Sequence, residues 1–130
     1  MPCDEVLVVD DDEALRAVAA EALQSDGFAV QTAADAVEAL ERMQEHRPSL
    51  VLLDLMMPGL TGWQMLDAMQ QTPALRDVPV VILTGFDARY DLPPGRPVLH
   101  KPVDACLLVL VVRSVLHPGA DATVRNLKRP

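Results

Sequence analysis

Cysteine is scarce in this chain of 130 residues, which contains only Cys3 and Cys106. Neither cysteine belongs to a CxxC pair or to another metal-ligand spacing, so the sequence indicates neither a disulfide framework nor a thiolate metal site. This usage is typical of a reducing compartment, and we expect a cytoplasmic protein.

Positive charge and long hydrophobic runs are also in short supply. The chain has 11 basic residues against 19 acidic ones, and its formal net charge is −8. An acidic surface repels phosphates, so we expect no direct binding of nucleic acid by this chain alone. The longest apolar run, Ala105 to Val112, falls well below the roughly 20 residues that span a bilayer. No secretory signal opens the sequence, and we expect no membrane contact.

Half of the residues are hydrophobic, which supplies enough core for a single domain. Short apolar runs alternate with amphipathic stretches, and this alternation predicts an α/β fold with a parallel sheet. We place a domain over residues 1–117 and a flexible tail over residues 118–130, because the tail has no apolar period. The predicted strands are Glu5 to Val9, Phe28 to Thr32, Leu50 to Leu53, Val80 to Leu83 and Val98 to His100.

Helical spacing of apolar residues predicts the intervening helices. In the first, the apolar positions are Leu15, Val18, Ala19, Ala22 and Leu23. In the second, Val37, Leu40 and Met43 are expected to face inward. Asp12 is better explained as a helix N-cap than as a ligand, because caps favour Asp. The predicted helices are Asp12 to Gln24, about Asp35 to Glu45, Gly62 to the stop at Gln70 to Pro73, and Asp104 to about Leu116.

Acidic residues end two of the predicted strands. Asp10 and Asp11 follow the first strand, and Asp54 follows the third. In a doubly wound, flavodoxin-like sheet of order 2-1-3-4-5, these strands are neighbours and their carboxyl ends form the ligand-binding crevice. Crowded carboxylates are tolerable only if a proton or a cation neutralises them. Oxygen ligands without His or Cys favour magnesium over zinc.

A hydroxyl and an ammonium group are predicted at the same edge of the sheet. Thr84 follows the fourth strand, and Lys101 follows the fifth. A metal and Lys101 could neutralise phosphoryl oxygens, Thr84 could donate a hydrogen bond, and an Asp54 oxygen could attack phosphorus in line. This combination predicts a phosphoryl-transfer site.

From Val6 to about Leu116, the chain resembles the receiver domain of two-component response regulators. The resemblance implies that Asp54 is the phosphoacceptor, with Mg²⁺ or Mn²⁺ held by Asp54 itself, by Asp11 directly and by Asp10 through water. It also implies the Met56 carbonyl as a backbone ligand, Thr84 as the switch hydroxyl and Lys101 as the phosphate-pairing lysine. The matching segments are Val8-Val9-Asp10-Asp11-Asp12, Leu53-Asp54-Leu55-Met56-Met57-Pro58-Gly59, Leu83-Thr84-Gly85 and Lys101-Pro102.

The resemblance further implies a phosphohistidine donor on a sensor histidine kinase or a phosphotransfer protein. The chain would then catalyse only its own magnesium-dependent phosphorylation and dephosphorylation, and would signal by conformational change and protein contact. Two alternatives stay open, namely an unphosphorylated pseudo-receiver and the receiver piece of a hybrid histidine kinase. An aspartyl phosphatase acting on outside substrates would need an Asp-x-Asp nucleophile motif and a cap domain, and the sequence offers neither.

The sequence departs from the family pattern between Thr84 and Lys101. The segment from Gly85 to Arg96 contains a double proline and is too short for a full helix, so we predict that helix four is short or absent. Val98 and Val103 stand where the family commonly has aromatic residues.

An apolar outward face is also expected on the last helix, where Cys106, Val109, Leu110 and Leu116 surround Arg113. An uncovered apolar face favours a partner, so this face could bind a second copy or an effector. Alternatively, the loop from Phe86 to Leu92 could cover it.

Overall fold

The computed structural model describes residues 4–85 and 95–118, which form a five-stranded parallel sheet with helices on both faces. The strand order is β2-β1-β3-β4-β5, which confirms the predicted flavodoxin-like topology. The strands are β1 (Glu5–Val9), β2 (Ala29–Ala33), β3 (Leu50–Asp54), β4 (Val80–Thr84) and β5 (Val98–His100). The described helices are α1 (Glu13–Ser25), α2 (Ala36–Glu45), α3 (Gly62–Gln71) and α4 (Ala105–Leu116).

The central strands are apolar throughout because helices cover both faces of the sheet. Every residue of β3 and β4 is buried. Side chains alternate along each strand, so each face has its own core. Leu7, Val9 and Leu53 belong to one core cluster, which α2 and α3 cover. Val8 and Leu52 belong to the other, to which α1 and α4 contribute.

Side-chain caps fix where the helices begin. Asp12 caps α1, its carboxylate accepting from the amide of Ala14 at 2.9 Å, as the sequence predicted. Thr61 caps α3 in a reciprocal pair with Gln64, whose side chain accepts from the Thr61 amide. Each cap satisfies amides that have no partner inside the helix, so the turns that precede the helices are held in one conformation.

Some predicted inward positions are wrong. Val37 was expected to face the core, but its side chain is 56% exposed. The buried stripe of α2 instead consists of Ala36, Ala39 and Met43, because two alanines allow the helix to approach the sheet closely. Val18 of α1 is also exposed. The hydrophobicity of a single residue does not reveal whether that residue lies on the buried face of its helix.

The outward face predicted for the last helix is smaller than expected. Val109 and Leu116 are partly buried and pack against the core cluster shared with α1. Arg113 forms an ion pair with Asp26 at the C-cap of α1, at 2.5 Å. What remains is a groove of about 380 Å³ between α1 and α4, to which Leu110 contributes.

Three predictions lie wholly or partly outside the described residues. The prediction that helix four is short or absent concerns a segment in which residues 86–94 are not described. The loop from Phe86 to Leu92, predicted as a possible cover for the last helix, falls within the same residues. The predicted tail, residues 118–130, is described only at Pro118. Within the described ranges, no helix has the length and hydropathy needed to cross a bilayer.

Candidate functional site

The register of the central strands brings the first acidic residues together. Val9 of β1 pairs with Leu53 of β3, so Asp10 and Asp54 follow at neighbouring positions on the same edge. The amide of Asp10 donates to the carbonyl of Ala33 at 3.2 Å, which continues the pairing with β2 by one residue. Both carboxylates are buried, with Asp54 only 2% exposed.

Asp10, Asp11 and Asp54 form a cluster in which one carboxylate oxygen of each lies within 4.8 Å of the others. Asp11 is exposed, so the cluster joins two buried carboxylates to one that solvent reaches. Asp10 Oδ2 is fully buried, and the Lys101 ammonium lies 2.8 Å from it. Three clustered carboxylates supply only oxygen donors, and this donor set fits a hard divalent cation such as magnesium.

Lys101 provides the positive charge of the site. Its Nζ lies 2.8 Å from Asp10 Oδ2 and 3.4 Å from Asp54 Oδ2. The backbone amide of Lys101 donates to the carbonyl of Thr84 at 2.8 Å, which joins the ends of β4 and β5. The peptide bond from Lys101 to Pro102 is cis. Lys101, which follows β5, therefore places one ammonium group beside the two buried carboxylates at the ends of β1 and β3.

The five predicted side chains lie at the carboxyl ends of neighbouring strands, at different distances from one another. Asp10, Asp11, Asp54 and Lys101 come together directly. Thr84 is fully buried one residue beyond Leu83, which pairs with Asp54. The Met56 amide donates to Asp54 Oδ1 at 3.2 Å, while the metal-binding role of its carbonyl stays a prediction.

Burial and charge shift both ends of the ion pair. Burial, reinforced by the nearby Asp10 charge, raises the pKa of Asp54 to about 6, although Lys101 and the Met56 amide oppose this rise. Burial acts to lower the pKa of Lys101, but contact with Asp10 and the charge of Asp54 outweigh it and raise that pKa. At neutral pH the Asp54 carboxylate is therefore ionised beside the Asp10 charge that repels it, with Lys101 as a partial counter-charge.

The raised pKa of Asp54 predicts a pH dependence in metal-free protein. The folded state binds this proton more tightly than the unfolded state, so the Asp54 contribution to the unfolding free energy falls as pH rises from about 4 to about 6. In EDTA, Asp54→Asn should be more stable than wild type by about 2 to 3 kcal/mol at pH 7.5, and almost equally stable at pH 4. Urea unfolding at both values measures this difference. An advantage of equal size at both pH values would contradict the prediction.

A glycine allows the first turn of α3 to lie against the end of β3. The Gly62 amide donates to the carbonyl of Leu55 at 3.0 Å. A Cβ on Gly62 would lie 2.6 Å from the Asp54 carbonyl oxygen and 2.7 Å from Leu55 Cα. Both obstacles are backbone atoms, so no side-chain rotation could relieve the clash.

Gly62→Ala should therefore lower the free energy of unfolding by about 1 to 3 kcal/mol. Gly85→Ala is the matched control, because among the described residues its Cβ would meet the Lys101 side chain at ordinary distances, 3.5 Å from Cδ and 3.8 Å from Cβ. Urea unfolding of both variants measures the difference. The close approach would be refuted if the two alanine variants were equally stable.

Sequence reasoning missed Arg16, whose Nη1 donates to the backbone carbonyl of Asp10 at 2.7 Å. Arg16 is the only basic residue of α1 and lies four residues after the cap Asp12. One helical turn places it above the start of the helix, next to the strand end. A lone arginine at this spacing was the available signal.

Comparison with known proteins yields one consistent family. The model of the response regulator receiver domain matches residues 6–93. The chain is 36% identical over 115 residues to response regulator PleD of Caulobacter vibrioides, covering 85% of this chain and 25% of PleD. It is 35% identical over 121 residues to the sensory transduction protein RegX3 of Mycolicibacterium smegmatis, covering 89% of this chain and 52% of that protein. The chain thus spans between a quarter and about half of these relatives.

A solved structure has the same fold. The chemotaxis response regulator CheY4 of Vibrio cholerae superposes with a TM-score of 0.81 at 29% identity, covering 88% of this chain and all of that one.

Proposed function

This chain belongs to the response regulator receiver family, and we propose that it accepts a phosphoryl group from a phosphohistidine onto Asp54. One observation carries the proposal: the Asp54 carboxylate is held between the Lys101 ammonium and two further acids at the carboxyl edge of the sheet. A merely structural ion pair would not need a third carboxylate, that of Asp11, beside the two that contact Lys101.

The chemistry follows from the charges of the site. Above pH 6 the Asp54 carboxylate is ionised, so one of its oxygens can attack phosphorus in line. The new O–P bond forms as the P–N bond to the donor imidazole breaks, and the imidazole keeps the electron pair and takes up a proton. Lys101, whose ammonium lies near Asp54 Oδ2, would stabilise charge on the transferred oxygens.

We assign a divalent cation, Mg²⁺ or Mn²⁺, to the acidic cluster as the second source of positive charge. When bound, it neutralises the carboxylates and polarises the phosphoryl oxygens. Asp11 and Asp54 would hold it directly, Asp10 through water, and Met56 through its carbonyl. Thr84 would then donate its hydroxyl to the phosphoryl group, and the resulting movement of its loop would be the signal.

Intact-mass measurement tests the proposed function. The protein is incubated with acetyl phosphate and Mg²⁺, and we expect a gain of one phosphoryl group that is labile to base. The same incubation in EDTA should leave the mass unchanged. A protein that stays unmodified in both solutions would instead favour the pseudo-receiver alternative.

Magnesium is expected to stabilise the fold, because it relieves repulsion that the folded state alone contains. At ten to a hundred times its dissociation constant, a ligand adds about 1 to 3 kcal/mol, and we expect the Tm to rise by at least about 4 °C. Asp11→Asn should remove most of this rise. Asp77→Asn is the control, since Asp77 is exposed and precedes β4 at the opposite edge of the sheet. A Tm response in Asp11→Asn equal to that of the control would contradict the assignment of Asp11.

The partners proposed for this chain are a sensor histidine kinase or phosphotransfer protein in the cytoplasm, and a second copy or an effector at α4. The groove lined by Ala22, Val109 and Leu110 supports the second contact, because most of its lining is apolar. Sedimentation over a dilution series, with and without phosphorylation, tests self-association. A monomer throughout would leave the effector as the proposed partner. The chain could equally serve as the receiver part of a hybrid histidine kinase.

A further inference from the structure

We infer that Arg16 is a positioning residue, which holds the Asp10–Asp11 peptide in the orientation that presents both carboxylates to the metal. The inference rests on the proposed function, because it concerns the same cation site. Arg16 lies on α1, whereas the acids it serves lie in the turn between β1 and α1. Its contribution is therefore made through the backbone of a ligand.

Contacts hold Asp10 on every polar side. Its amide donates to Ala33, and its Oδ1 accepts from the amide of Asp12 at 2.9 Å. Its Oδ2 faces Lys101, and its carbonyl accepts from Arg16 at 2.7 Å. Three of these contacts come from the strand edge, the turn and the proposed phosphoryl site. Of these four contacts on Asp10, only the one from Arg16 comes from a side chain of α1.

The carbonyl of Asp10 belongs to the peptide unit that leads into Asp11. Since a peptide unit is planar, fixing this carbonyl also fixes the direction in which the chain enters Asp11. Asp11 is exposed, so packing does little to hold its carboxylate. Removing a group that hydrogen-bonds to a metal ligand and orients it commonly lowers metal affinity by about tenfold or more.

Loss of the Arg16 charge and loss of its hydrogen bond predict opposite changes in Mg²⁺ affinity. A guanidinium near three acids repels a second cation, so charge alone predicts tighter Mg²⁺ binding without it. Loss of the hydrogen bond frees the Asp10–Asp11 peptide and predicts weaker binding. The contact is short and comes from a partly buried arginine. We therefore expect the lost hydrogen bond to weaken Mg²⁺ binding more than the lost positive charge strengthens it.

A thermal-melting series over Mg²⁺ concentration measures both roles in one experiment. The Tm in EDTA reports the fold, and the rise with Mg²⁺ gives the dissociation constant. In Arg16→Met we expect that constant to increase about tenfold. Arg16→Lys, which keeps the charge and an N–H donor, should stay within about threefold of wild type. Arg42→Met is the charge-matched control, because Arg42 lies in the exposed last turn of α2.

Unchanged or tighter Mg²⁺ binding in Arg16→Met, measured against Arg42→Met, would overturn the inference and leave the proposed function intact. A lysine variant as weak as the methionine variant would exclude the hydrogen-bond explanation. A wild-type protein whose Tm does not respond to Mg²⁺ would overturn the metal site itself, and this inference with it.

Discussion

Asp54→Asn is expected to abolish phosphoryl uptake, with a loss of at least about a thousandfold in rate that reaches the background of the mass measurement. Asparagine has the shape of aspartate and can keep an oxygen for the Met56 amide, which donates to Oδ1 in wild type. Its amide group carries no negative charge, so it cannot attack phosphorus in this way. The substitution therefore removes the nucleophile and leaves the packing of the strand end in place.

Unfolding cannot explain this loss. Burial disfavours the charged form of Asp54, so the asparagine variant should be at least as stable as wild type at neutral pH in EDTA. Asp77→Asn is the matched control and should take up phosphate at the wild-type rate. If Asp54→Asn continued to gain a base-labile phosphoryl group in a magnesium-dependent manner, the acceptor would be another residue.

Lys101→Met has the second largest expected effect. The ammonium contacts two buried carboxylates, at 2.8 Å from Asp10 and 3.4 Å from Asp54. Removing one donor to developing charge commonly lowers a rate by about a hundredfold to a thousandfold, and we expect that range for phosphorylation at saturating Mg²⁺. The lost partner of a buried charge should also lower the free energy of unfolding in EDTA, by about 3 kcal/mol.

The control for this substitution is Arg42→Met, which removes a cation from an exposed pair with Glu38 at 3.4 Å. Such pairs contribute at most about 1 kcal/mol, and Arg42 does not lie at the site. Initial rates of mass gain and urea unfolding compare the two variants. Equal rates for both would mean that Lys101 only balances charge in the resting protein.

The topology was predictable from the sequence because each strand of the sheet carries a continuous or alternating apolar run between helical patterns. Asp10 and Asp54 were predictable for the same reason, since the residue after a parallel strand lies at its carboxyl edge. The cap of α1 was also readable, because Asp12 precedes a helical pattern. In these cases, local residue chemistry and global topology favour the same structure.

Other features depend on contacts between distant elements. Whether Val37 or Ala36 faces the sheet depends on how closely α2 approaches the sheet. The small side chains of Ala36 and Ala39 lie on the buried side of the helix, and Val37 does not. Arg16 was missed because its partner is a backbone carbonyl, so the lone arginine of α1 had no acidic side chain to mark it as paired. Val109 and Leu116 looked unpartnered because the helical wheel does not show how far α1 covers α4.

Locating the phosphoryl group on the chain tests the central claim most directly. After reaction with acetyl phosphate and Mg²⁺, borohydride reduces the acyl phosphate to an alcohol, and peptide sequencing by mass spectrometry identifies the altered residue. The account predicts modification of Asp54 alone, although its side chain is 2% exposed. Modification of Asp10, Asp11 or another residue, with Asp54 intact, would contradict it.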